Sequence, residues 1–506
     1  MRKLTTLKRT LILSMFCAAA VTASLGQVFK TLAHFGGLYG AEPTGSLLQG
    51  VNGGLYGVAT RGGANKGGTV FEVTPAGLSA IYGFCQYTCA NGDYPDASLV
   101  EASNGNYYGT AFYGGGANES CPNGCGTIFQ ITPQGKLTTF YSFCSQPNCS
   151  DGAQPAAALV QAANGNFYGT TYAGGTAGSS CSNYPFTGCG TVFEITPTGK
   201  LTTLYSFCSR LDCTDGADPD AGLVQATNGN FYGTTYYGGA IGAHGQFGTV
   251  FEITPAGQMI TLYSFCSQGN CTDGATPAAG LVHASNGNLY GTTVAGGADD
   301  SGTVFAITPA GQLTTLYSFC SQPNCSDGEG PGAGLVQATD GNLYGTTLNE
   351  GANYATCFKE HGDAGCGTIF EITLAGQLTT LYSFCSQPDC RDGVAPNGLV
   401  QATNGTFYGT SNGLDYQGTV FSLSVGLGPF VETLPTSDNV GAEVGILGNN
   451  LTGATSVTFN GTSAQFTVKL PTLILTHVPT GATTGTVQVA LPTGTLSSNL
   501  PFHVIP

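Results

Sequence analysis

The chain has 506 residues, with 79 Gly, 24 Pro, 19 Cys and no Trp, and only 8% of the residues are charged. The formal charge is −16, and 13 Lys and Arg residues are too few to form the basic face that a nucleic-acid binder needs. An apolar content of 41% excludes a disordered chain. The abundance of Gly, Thr, Tyr and Phe favours strands over helical bundles. The composition therefore indicates a folded, all-β protein with no nucleic-acid partner.

The first residues have the pattern of a secretory signal peptide. Four basic residues among the first nine precede an apolar run over residues 11–23, and small residues follow it. The run is too short to span a bilayer comfortably, and a short N-terminal anchor is the alternative. We predict a signal peptide over residues 1–26. Its removal leaves nine basic and 29 acidic residues, a charge of −20, with 18 cysteines and no transmembrane segment in the mature chain.

Four short strings each occur seven times between residues 28 and 425. They are G-L-V-Q-A, N-G-x-aromatic/Leu-Y-G, G-T-[VI]-F and T-L-Y-S-F, or close variants of these. The tyrosine of the second string recurs every 52 to 64 residues. Its positions are Tyr56, Tyr108, Tyr168, Tyr232, Tyr290, Tyr344 and Tyr408. Such regular recurrence is typical of a repeat architecture.

Each string predicts one strand, because it is rich in β-branched and aromatic residues and is bounded by turn residues. Asn-Gly suits a tight hairpin between the first two strands, and Thr-Pro-x-Gly suits a turn after the third. Four antiparallel strands at this period are typical of a propeller blade. We therefore predict a seven-bladed β-propeller over residues 27–425. The strand from Val28 to Phe35 would complete the last blade, which otherwise has only three strands, from Leu399 to Leu423.

The repeats resemble the Gloeobacter/Verrucomicrobia (GloVer) tandem-repeat family of exported bacterial proteins. The resemblance covers roughly residues 28–425 and rests on strings such as N-G-N-F-Y-G-T-T from Asn228 and G-T-V-F-E-I-T-P from Gly248. It implies a secreted or cell-surface location in a bacterium, and it implies no known catalysis.

The tail, residues 428–506, resembles an IPT/TIG domain, which is a small immunoglobulin-like β-sandwich. The matching strings are G-I-L-G-N-N-L from Gly445, V-T-F-N-G from Val457, V-P-T-G-A from Val478 and G-T-V-Q-V from Gly485. Glu443-Val444-Gly445 departs from the run that usually precedes such a motif. The resemblance implies a spacer or a binding unit.

The 18 remaining cysteines divide into nine close pairs, and an exported chain favours their oxidation. A zinc site is the alternative, but zinc needs four converging ligands, and we do not expect one pair to reach another. We predict local disulfides on one face, which fix loops more than they hold the ring, and no metal site. The pairs are Cys85/Cys89, Cys121/Cys125, Cys144/Cys149, Cys181/Cys189, Cys208/Cys213, Cys266/Cys271, Cys320/Cys325, Cys357/Cys366 and Cys385/Cys390.

Long loops between the second and third strands of three repeats carry candidate ligand-binding residues, because exposed aromatic rings stack on sugars or anchor protein partners. Local packing at the ends of the blades is the alternative. The candidates are Tyr184, Phe186, Tyr236, Tyr237, His244, Tyr354, Phe358 and His361. No cofactor is predicted; a Ca²⁺ ring built from the Asp-Gly pairs after the cysteines is the weaker alternative, because Asp-Gly commonly forms turns.

The sequence contains no recognised catalytic motif. We therefore predict a non-enzymatic recognition or scaffold protein that binds polysaccharide or a cell-surface protein through the disulfide-rich face. The alternative is a secreted carbohydrate-active hydrolase or lyase with its site in the central funnel. A pair of carboxylates in that funnel would favour the alternative.

Overall fold

The computed structural model describes residues 26–86, 89–116, 121–176, 188–240, 247–361, 366–413 and 417–505. Its architecture is all-β, as the composition predicts, and consists mainly of four-stranded antiparallel sheets. The predicted signal peptide lies almost wholly outside the described residues. Among the described residues, no helix is long and apolar enough to cross a membrane.

Seven sheets form between residues 28 and 424, and each contains one copy of the four strings. We number them from sheet 1 to sheet 7, and within each sheet we speak of the first to the fourth strand. The last sheet takes its fourth strand from the start of the chain, because β1 (Val28–His34) pairs with β29 (Gly418–Ser424) as the sequence predicts.

The first three sheets contain strands β2 to β14. In sheet 2 the first strand is divided into β6 (Asp93–Pro95) and β7 (Val100–Glu101), which both pair with β8 (Tyr107–Tyr113). Sheet 1 contains β2 (Ala41–Gln49), β3 (Leu55–Arg61), β4 (Lys66–Thr74) and β5 (Gly77–Cys85). Sheet 2 contains β6 (Asp93–Pro95), β7 (Val100–Glu101), β8 (Tyr107–Tyr113), β9 (Thr127–Ile131) and β10 (Leu137–Ser142). Sheet 3 contains β11 (Val160–Gln161), β12 (Phe167–Thr171), β13 (Thr191–Ile195) and β14 (Leu201–Ser206).

The other four sheets repeat the pattern with strands β15 to β29. Sheet 4 contains β15 (Val224–Gln225), β16 (Phe231–Thr235), β17 (Thr249–Ile253) and β18 (Met259–Ser264). Sheet 5 contains β19 (Val282–His283), β20 (Leu289–Thr293), β21 (Thr303–Ile307) and β22 (Leu313–Ser318). Sheet 6 contains β23 (Val336–Gln337), β24 (Leu343–Thr347), β25 (Thr368–Ile372) and β26 (Leu378–Ser383). Sheet 7 contains β27 (Val394–Gln401), β28 (Phe407–Asn412), β29 and β1.

Short helical segments occur only in the connections of the described chain. The α-helix α1 (Tyr354–His361) lies between the second and third strands of sheet 6. Single 3₁₀ turns are Gly37–Tyr39, Pro147–Cys149, Leu211–Cys213, Gly269–Cys271, Pro323–Cys325, Pro388–Cys390 and Leu451–Gly453.

The apolar core of this region lies between sheets. Phe193 and Ile195 of sheet 3 pack with residues of sheet 2, whereas Val192 packs with residues of sheet 4, because alternate residues of a strand face opposite sides. Equivalent clusters join every consecutive pair of sheets. A further cluster joins sheet 7 to sheet 1 through Val420 and Phe71. The seven interfaces thus form a closed cycle.

The glycine of the N-F-Y-G-T-T string has a packing role. A Cβ on Gly169 would lie 2.7 Å from Cζ of Phe193, which is fully buried on the neighbouring strand. The same close approach recurs at the equivalent glycine of the other six sheets. The glycine therefore gives each sheet room for a Phe ring, whose burial stabilises the fold by about 2–3 kcal/mol.

Residues 430–505 form a second β unit with its own core, in which Val444, Ile474 and Val489 are fully buried. Its strands form two four-stranded sheets and one two-stranded sheet. They are β30 (Glu432–Leu434), β31 (Ser437–Asn439), β32 (Glu443–Leu447), β33 (Ser456–Phe459), β34 (Thr462–Ala464), β35 (Phe466–Leu470), β36 (Leu473–His477), β37 (Val487–Leu491), β38 (Gly494–Ser497) and β39 (His503–Ile505). We call this part the C-terminal unit.

Candidate ligand-binding face

The loops that carry the cysteines lie together at one end of the sheets, which we call the disulfide face. In sheet 3 the loop after the second strand meets the loop that enters the sheet, since Gly175 N–H donates to the Cys149 carbonyl at 2.9 Å. Equivalent bonds run from Gly115, Gly239, Gly297 and Gly351 to the carbonyl of the nearby cysteine. The Asn-Gly turns lie at the opposite end, which we call the hairpin face.

Disulfides close these loops locally. The structure joins the eight pairs whose members are both described, in the partnership expected from their spacing. In the ninth pair Cys181 lies outside the described residues. One expectation was wrong, because two pairs do meet: the four sulfur atoms of Cys121, Cys125, Cys144 and Cys149 lie within 4.8 Å of one another. The loop between the second and third strands folds back over the cysteine loop that follows the fourth strand.

The bridges of Cys89 and Cys366 differ from the others in geometry or position. Cys89 bonds to a partner four residues earlier with a Cα–Cα distance of 6.1 Å, whereas the five other pairs after a fourth strand span five residues at 3.9–4.1 Å. Cys366, which is bonded to Cys357, is fully buried in the apolar core between sheets 6 and 7. This disulfide therefore contributes to an interface of the cycle as well as to a loop.

The sulfur atoms of these two cysteines also touch the backbone. Sγ of Cys89 lies 4.0 Å from the Gln86 carbonyl oxygen, and Sγ of Cys366 lies 3.8 Å from the Asn353 carbonyl oxygen. A sulfur atom in a disulfide carries no hydrogen to donate, so we interpret both approaches as packing of the loop against its own bridge.

The repeated Asp-Gly carboxylates act inside these loops. Asp151 is fully buried and accepts hydrogen bonds from Tyr141 Oη at 2.8 Å, Ser145 N at 3.0 Å and Gln146 N at 3.2 Å. The same contacts recur in the loops that lead into sheets 4 to 7. The residues concerned are Asp215, Asp273, Asp327 and Asp392. Because these oxygens are already engaged by donors, the geometry favours the turn role of Asp-Gly over the Ca²⁺ alternative.

A ring of strained residues surrounds the centre of the disulfide face. Each sheet has a proline in or shortly before its first strand, and the residue before this proline has a positive φ, between 44° and 62°. Only one of the seven is a glycine. Non-glycine residues in this region cost free energy and persist where the surroundings hold them. In sheet 3 the strained residue is held by two bonds, from Gln154 N to the Cys125 carbonyl at 2.7 Å and from Tyr172 N to the Gln154 carbonyl at 2.9 Å. The ring consists of Glu42, Tyr94, Gln154, Asp218, Thr276, Gly330 and Ala395.

Aromatic side chains cluster beside this ring in sheets 2 to 4, and we call the cluster the aromatic mouth. It consists of Tyr94, Phe112, Tyr113, Tyr172, Tyr236 and Tyr237. The ring centres of Phe112 and Tyr113 lie 4.8 Å apart, and those of Tyr236 and Tyr237 lie 4.7 Å apart. Phe112 and Tyr172, from neighbouring sheets, are 6.5 Å apart. The Arg61 guanidinium lies 5.9 Å from the ring centre of Tyr94 and forms an ion pair with Glu42.

Two carboxylates lie near the aromatic mouth with raised pKa values. Burial and the nearby charge of Asp220 raise the pKa of Asp96 to about 6. Burial also raises the pKa of Asp220, and the charges of Asp218 and Asp220 add to burial in raising the pKa of Tyr172 to about 12. Asp96 and Asp220 come from sheets 2 and 4, which are not neighbours in the cycle. The charge of Asp220 therefore acts on Asp96 across the intervening sheet 3.

The structure places the predicted ligand-binding residues in different parts of the molecule. Tyr236 and Tyr237 belong to the aromatic mouth and are half-buried. Tyr354 begins α1 and is 41% exposed. Tyr184, Phe186 and His244 lie outside the described residues, and Phe358 and His361 lie in α1 without described side chains. The sequence analysis missed Tyr94, Phe112, Tyr113, Tyr172, Asp96 and Asp220. A comparison of equivalent positions in the repeats would have identified Phe112 and Tyr172, which occupy the place of Tyr236 in sheets 2 and 3.

The C-terminal unit contacts the hairpin face. Asn449 Nδ2 donates to Thr403 Oγ1 at 2.8 Å, Thr472 Oγ1 donates to the Val51 carbonyl at 2.6 Å, and Asn499 Nδ2 donates to the Gln337 carbonyl at 3.0 Å. These acceptors belong to three different sheets, 7, 1 and 6. The C-terminal unit therefore covers the end opposite to the aromatic mouth.

Comparison with known proteins identifies the family. The model of the Gloeobacter/Verrucomicrobia repeat matches residues 20–183 and 123–358, two overlapping regions that together span more than half of the chain. The chain belongs to this bacterial repeat family, and the resemblance predicted from its sequence is confirmed. No curated protein matches the chain.

Solved structures match at low identity. A protein titled a putative gluconolactonase is 11% identical over 80% of this chain and 94% of its own, with a TM-score of 0.37. A putative oxidoreductase (glucose dehydrogenase) from Thermus thermophilus is 14% identical over 64% of this chain and 94% of its own, with a TM-score of 0.38. A luciferin-regenerating enzyme is 12% identical over 80% of this chain and 97% of its own, with a TM-score of 0.38. At these scores the matches carry no argument about function.

Proposed function

We propose that the protein is an exported bacterial recognition protein that binds polysaccharide through the aromatic mouth on its disulfide face. In this proposal the seven sheets are the blades of a closed β-propeller over residues 27–425. The closed cycle of interfaces and the pairing of β1 with β29 support this architecture. In the same proposal the C-terminal unit forms most of an immunoglobulin-like domain of the IPT/TIG type over residues 428–506, which presents the propeller from the opposite end.

The proposed location outside the cytoplasm is supported by the many disulfides, which persist in oxidising compartments. The bacterial repeat family and the signal-peptide pattern of residues 1–26 point the same way. A bacterial protein outside the cytoplasm meets polysaccharides and surface proteins, so these are the partners that we propose.

The aromatic mouth is the feature that supports polysaccharide as the class of ligand. Aromatic rings offer flat apolar faces on which sugar rings stack, while carboxylates and tyrosine hydroxyls bind sugar hydroxyls. Asp96, Asp218 and Asp220 supply acceptors at the same place. Fixed loops make such a surface suitable for binding, because less conformational entropy is lost when the ligand docks. A surface protein is the other ligand class that this face could take.

Binding is tested by presenting the mature protein to a glycan array and to insoluble cell-wall polysaccharides. The double substitution Tyr172→Ala/Tyr236→Ala is expected to weaken binding at least tenfold, since it removes two rings from neighbouring sheets. The matched control is Leu470→Ala, which removes an exposed apolar side chain from the C-terminal unit. Unchanged binding by the double variant, or no binding of the mature protein to any glycan, would refute the proposal.

Asp96 and Asp220 favour a second candidate, a secreted carbohydrate-active hydrolase or lyase. Hydrolysis of a glycosidic bond commonly uses two carboxyl groups, one of them held protonated by a raised pKa. Asp96, with a pKa of about 6, would be the proton donor, and Asp220 would be the base or nucleophile. A reducing-sugar release assay tests this candidate with the wild type, Asp96→Asn and Asp220→Asn. If the wild type releases reducing sugar and each substitution abolishes that release, the protein is an enzyme and the binding-only proposal is wrong.

A further inference from the structure

The seam between sheet 7 and sheet 1 is open at its hairpin end, unlike the seams between sheets 1 to 6. In sheets 2 to 6 the glycine of the turn after the third strand lies against the fourth strand of the preceding sheet. A Cβ on Gly257 would lie 2.7 Å from the Leu204 carbonyl oxygen, and the equivalent distances are 2.6–3.4 Å at Gly135, Gly199, Gly311 and Gly376. At Gly77, the equivalent in sheet 1, no described residue lies within 4 Å of the Cβ position. A groove of about 920 Å³ lies at this place.

The wall of the groove that sheet 1 contributes is mainly apolar. It contains Leu55, Val73 and the turn of residues 74–77. Facing it, Val28 and Leu32 of β1 add two apolar side chains, which are 46% and 41% exposed. The volume lies within the range of about 300–1,000 Å³ that is typical of small-molecule sites. The groove therefore offers room and an apolar surface for the hydrocarbon body of a small ligand.

The wall from sheet 7 presents a row of polar side chains. Tyr408 pairs with Ser422, and Ser422 pairs with Lys30 on the next strand, so the three side chains share one face of the sheet. In sheets 1, 3, 4 and 6 a glutamate takes the place of Ser422, and in sheet 3 Tyr168 Oη donates to this glutamate, Glu194, at 2.8 Å. Sheets 2 and 5 have Gln and Ala there. Sheet 7 is the one sheet whose row contains a cation.

The donors of this row have no protein acceptor within the part of the chain that the structure describes. Tyr408 Oη accepts from Asn404 Nδ2 at 2.9 Å, but neither Tyr408 nor Ser422 donates its hydroxyl hydrogen there, and Lys30 forms no ion pair. Ser422 is only 8% exposed, and it lines the groove. Tyr408 is half-buried, whereas the equivalent tyrosines of the other six sheets are at most 2% exposed. The row therefore directs unused donors into the groove.

The other polar groups of the groove are neutral. Gln49 and Asn449 donate amide hydrogens to Thr403 Oγ1, which leaves the Asn449 oxygen as a neutral acceptor. Thr406 and Ser424 add two hydroxyl groups. Among the described residues that line the groove there is no carboxylate, so the lysine of the row is their single charge. The groove thus combines one positive charge, several hydroxyl donors and an apolar wall.

We propose that this groove binds a small aliphatic monocarboxylate, with its carboxylate on Lys30 and Tyr408 and its hydrocarbon body against Leu55 and Val73. The carboxylate of the ligand takes the place that Glu194 has in sheet 3. A carboxylate accepts charge-assisted hydrogen bonds from ammonium and hydroxyl groups. A neutral alcohol would leave Lys30 without a counter-ion, and a cation would be repelled by it.

Isothermal titration calorimetry of the mature chain with sodium hexanoate tests the proposal, with 1-hexanol as the neutral probe of the same length. We expect a dissociation constant on the order of 1 mM for hexanoate and binding of the alcohol that is weaker by about tenfold or more. Lys30→Gln removes the charge at an exposed position and should weaken hexanoate binding by about tenfold or more. The matched control is Lys200→Gln, an exposed lysine beside the fourth strand of sheet 3, which should leave binding unchanged.

Ser422→Glu gives a second test, because it supplies the carboxylate that four other sheets contain at this place. The new side chain should pair with Lys30, accept from Tyr408 and abolish hexanoate binding. The same fold holds a glutamate at this position in sheets 1, 3, 4 and 6, so the variant should fold, and circular dichroism verifies this.

Four results would each overturn the proposal. They are equal affinity for hexanoate and hexanol, equal binding by wild type and Lys30→Gln, undiminished binding by Ser422→Glu, and no binding at about ten times the expected constant. None of these outcomes bears on polysaccharide binding at the aromatic mouth, which lies at the other end of the sheets.

Discussion

The two ends of the repeat region are built from the same seven repeats, yet they differ in nearly every physical property. At the hairpin face the Asn-Gly turns are almost identical, and the C-terminal unit covers part of them. At the disulfide face the loops vary in length, the backbone is strained, and aromatic rings and carboxylates gather. One end of the repeat region is therefore uniform, and the variable end is the one at which we propose that a ligand binds.

The largest expected difference between the ends is in their glycines. Gly190, at the disulfide face, has φ +92°, and an added Cβ would lie 2.6 Å from Cδ of Pro219 and would clash with the Thr171 carbonyl. Gly165, in a hairpin turn, has φ +80° with open space around the Cβ position. Gly190→Ala should therefore lower the free energy of unfolding by about 3–5 kcal/mol, through overpacking and backbone strain, and Gly165→Ala by only about 1 kcal/mol. Urea unfolding measures both, and equal losses would contradict the contrast.

A second difference concerns Glu101 at the hairpin face, which occupies the place that Gln161 has in sheet 3. Gln161 accepts from Ser103 N and donates to the Gly165 carbonyl. Glu101 accepts from Val51 N at 3.2 Å, but its Oε1 is buried without a partner. Burial is the largest cause that raises its pKa from 4.5 to about 7. The amide of a glutamine would supply the missing donor.

The pH dependence follows from this raised pKa. Below about pH 4.5 the carboxyl is protonated in both the folded and the unfolded chain, and it costs no stability. As the pH rises towards 7 the unfolded chain ionises first, so the wild type loses stability. Glu101→Gln should match the wild type at about pH 4 and exceed it by about 3 kcal/mol at about pH 8, as measured by denaturant unfolding. A gain that is the same at both pH values would show that the carboxyl titrates normally.

The smallest expected effect is the loss of one disulfide. Cys208→Ser/Cys213→Ser opens a loop of only a few residues, so the chain-entropy model predicts a loss of about 2 kcal/mol. The damage should stay local, because the interface between sheets 3 and 4 also contains Phe207 and Phe251. Thermal unfolding measures the loss, and hydrogen exchange confined to residues 208–216 shows its locality. A loss of protection throughout the sheets would mean that the disulfides hold the whole cycle together.

Much of the fold was predictable from the sequence because each strand carries its own signal. The strings around Tyr168 and Phe193 are rich in β-branched and aromatic residues, and Asn-Gly precedes the first while Thr-Pro-x-Gly follows the second, so local chemistry sets strand order and turn position. The missing fourth strand of sheet 7 also predicted its pairing with β1.

Fewer residues of the candidate site than of the fold could be predicted from the sequence. Asp96 and Asp220 lie more than a hundred residues apart in the sequence, and the folded arrangement of the sheets brings Asp96 within reach of the charge of Asp220. The meeting of two disulfides at Cys125 and Cys144 depends on how a loop folds back, which spacing does not reveal. Convergence of this kind is a property of tertiary packing, so the predicted list contained Tyr236 and omitted Tyr172.

Hydrogen–deuterium exchange with and without a bound polysaccharide tests the central claim most directly, because it reports which end of the molecule the ligand covers. Recognition at the disulfide face predicts slowed exchange in residues 92–96, 111–116, 153–156, 172–176 and 217–220, with no change in the Asn-Gly turns or the C-terminal unit. Protection confined to the C-terminal unit or to the hairpin face would contradict the account.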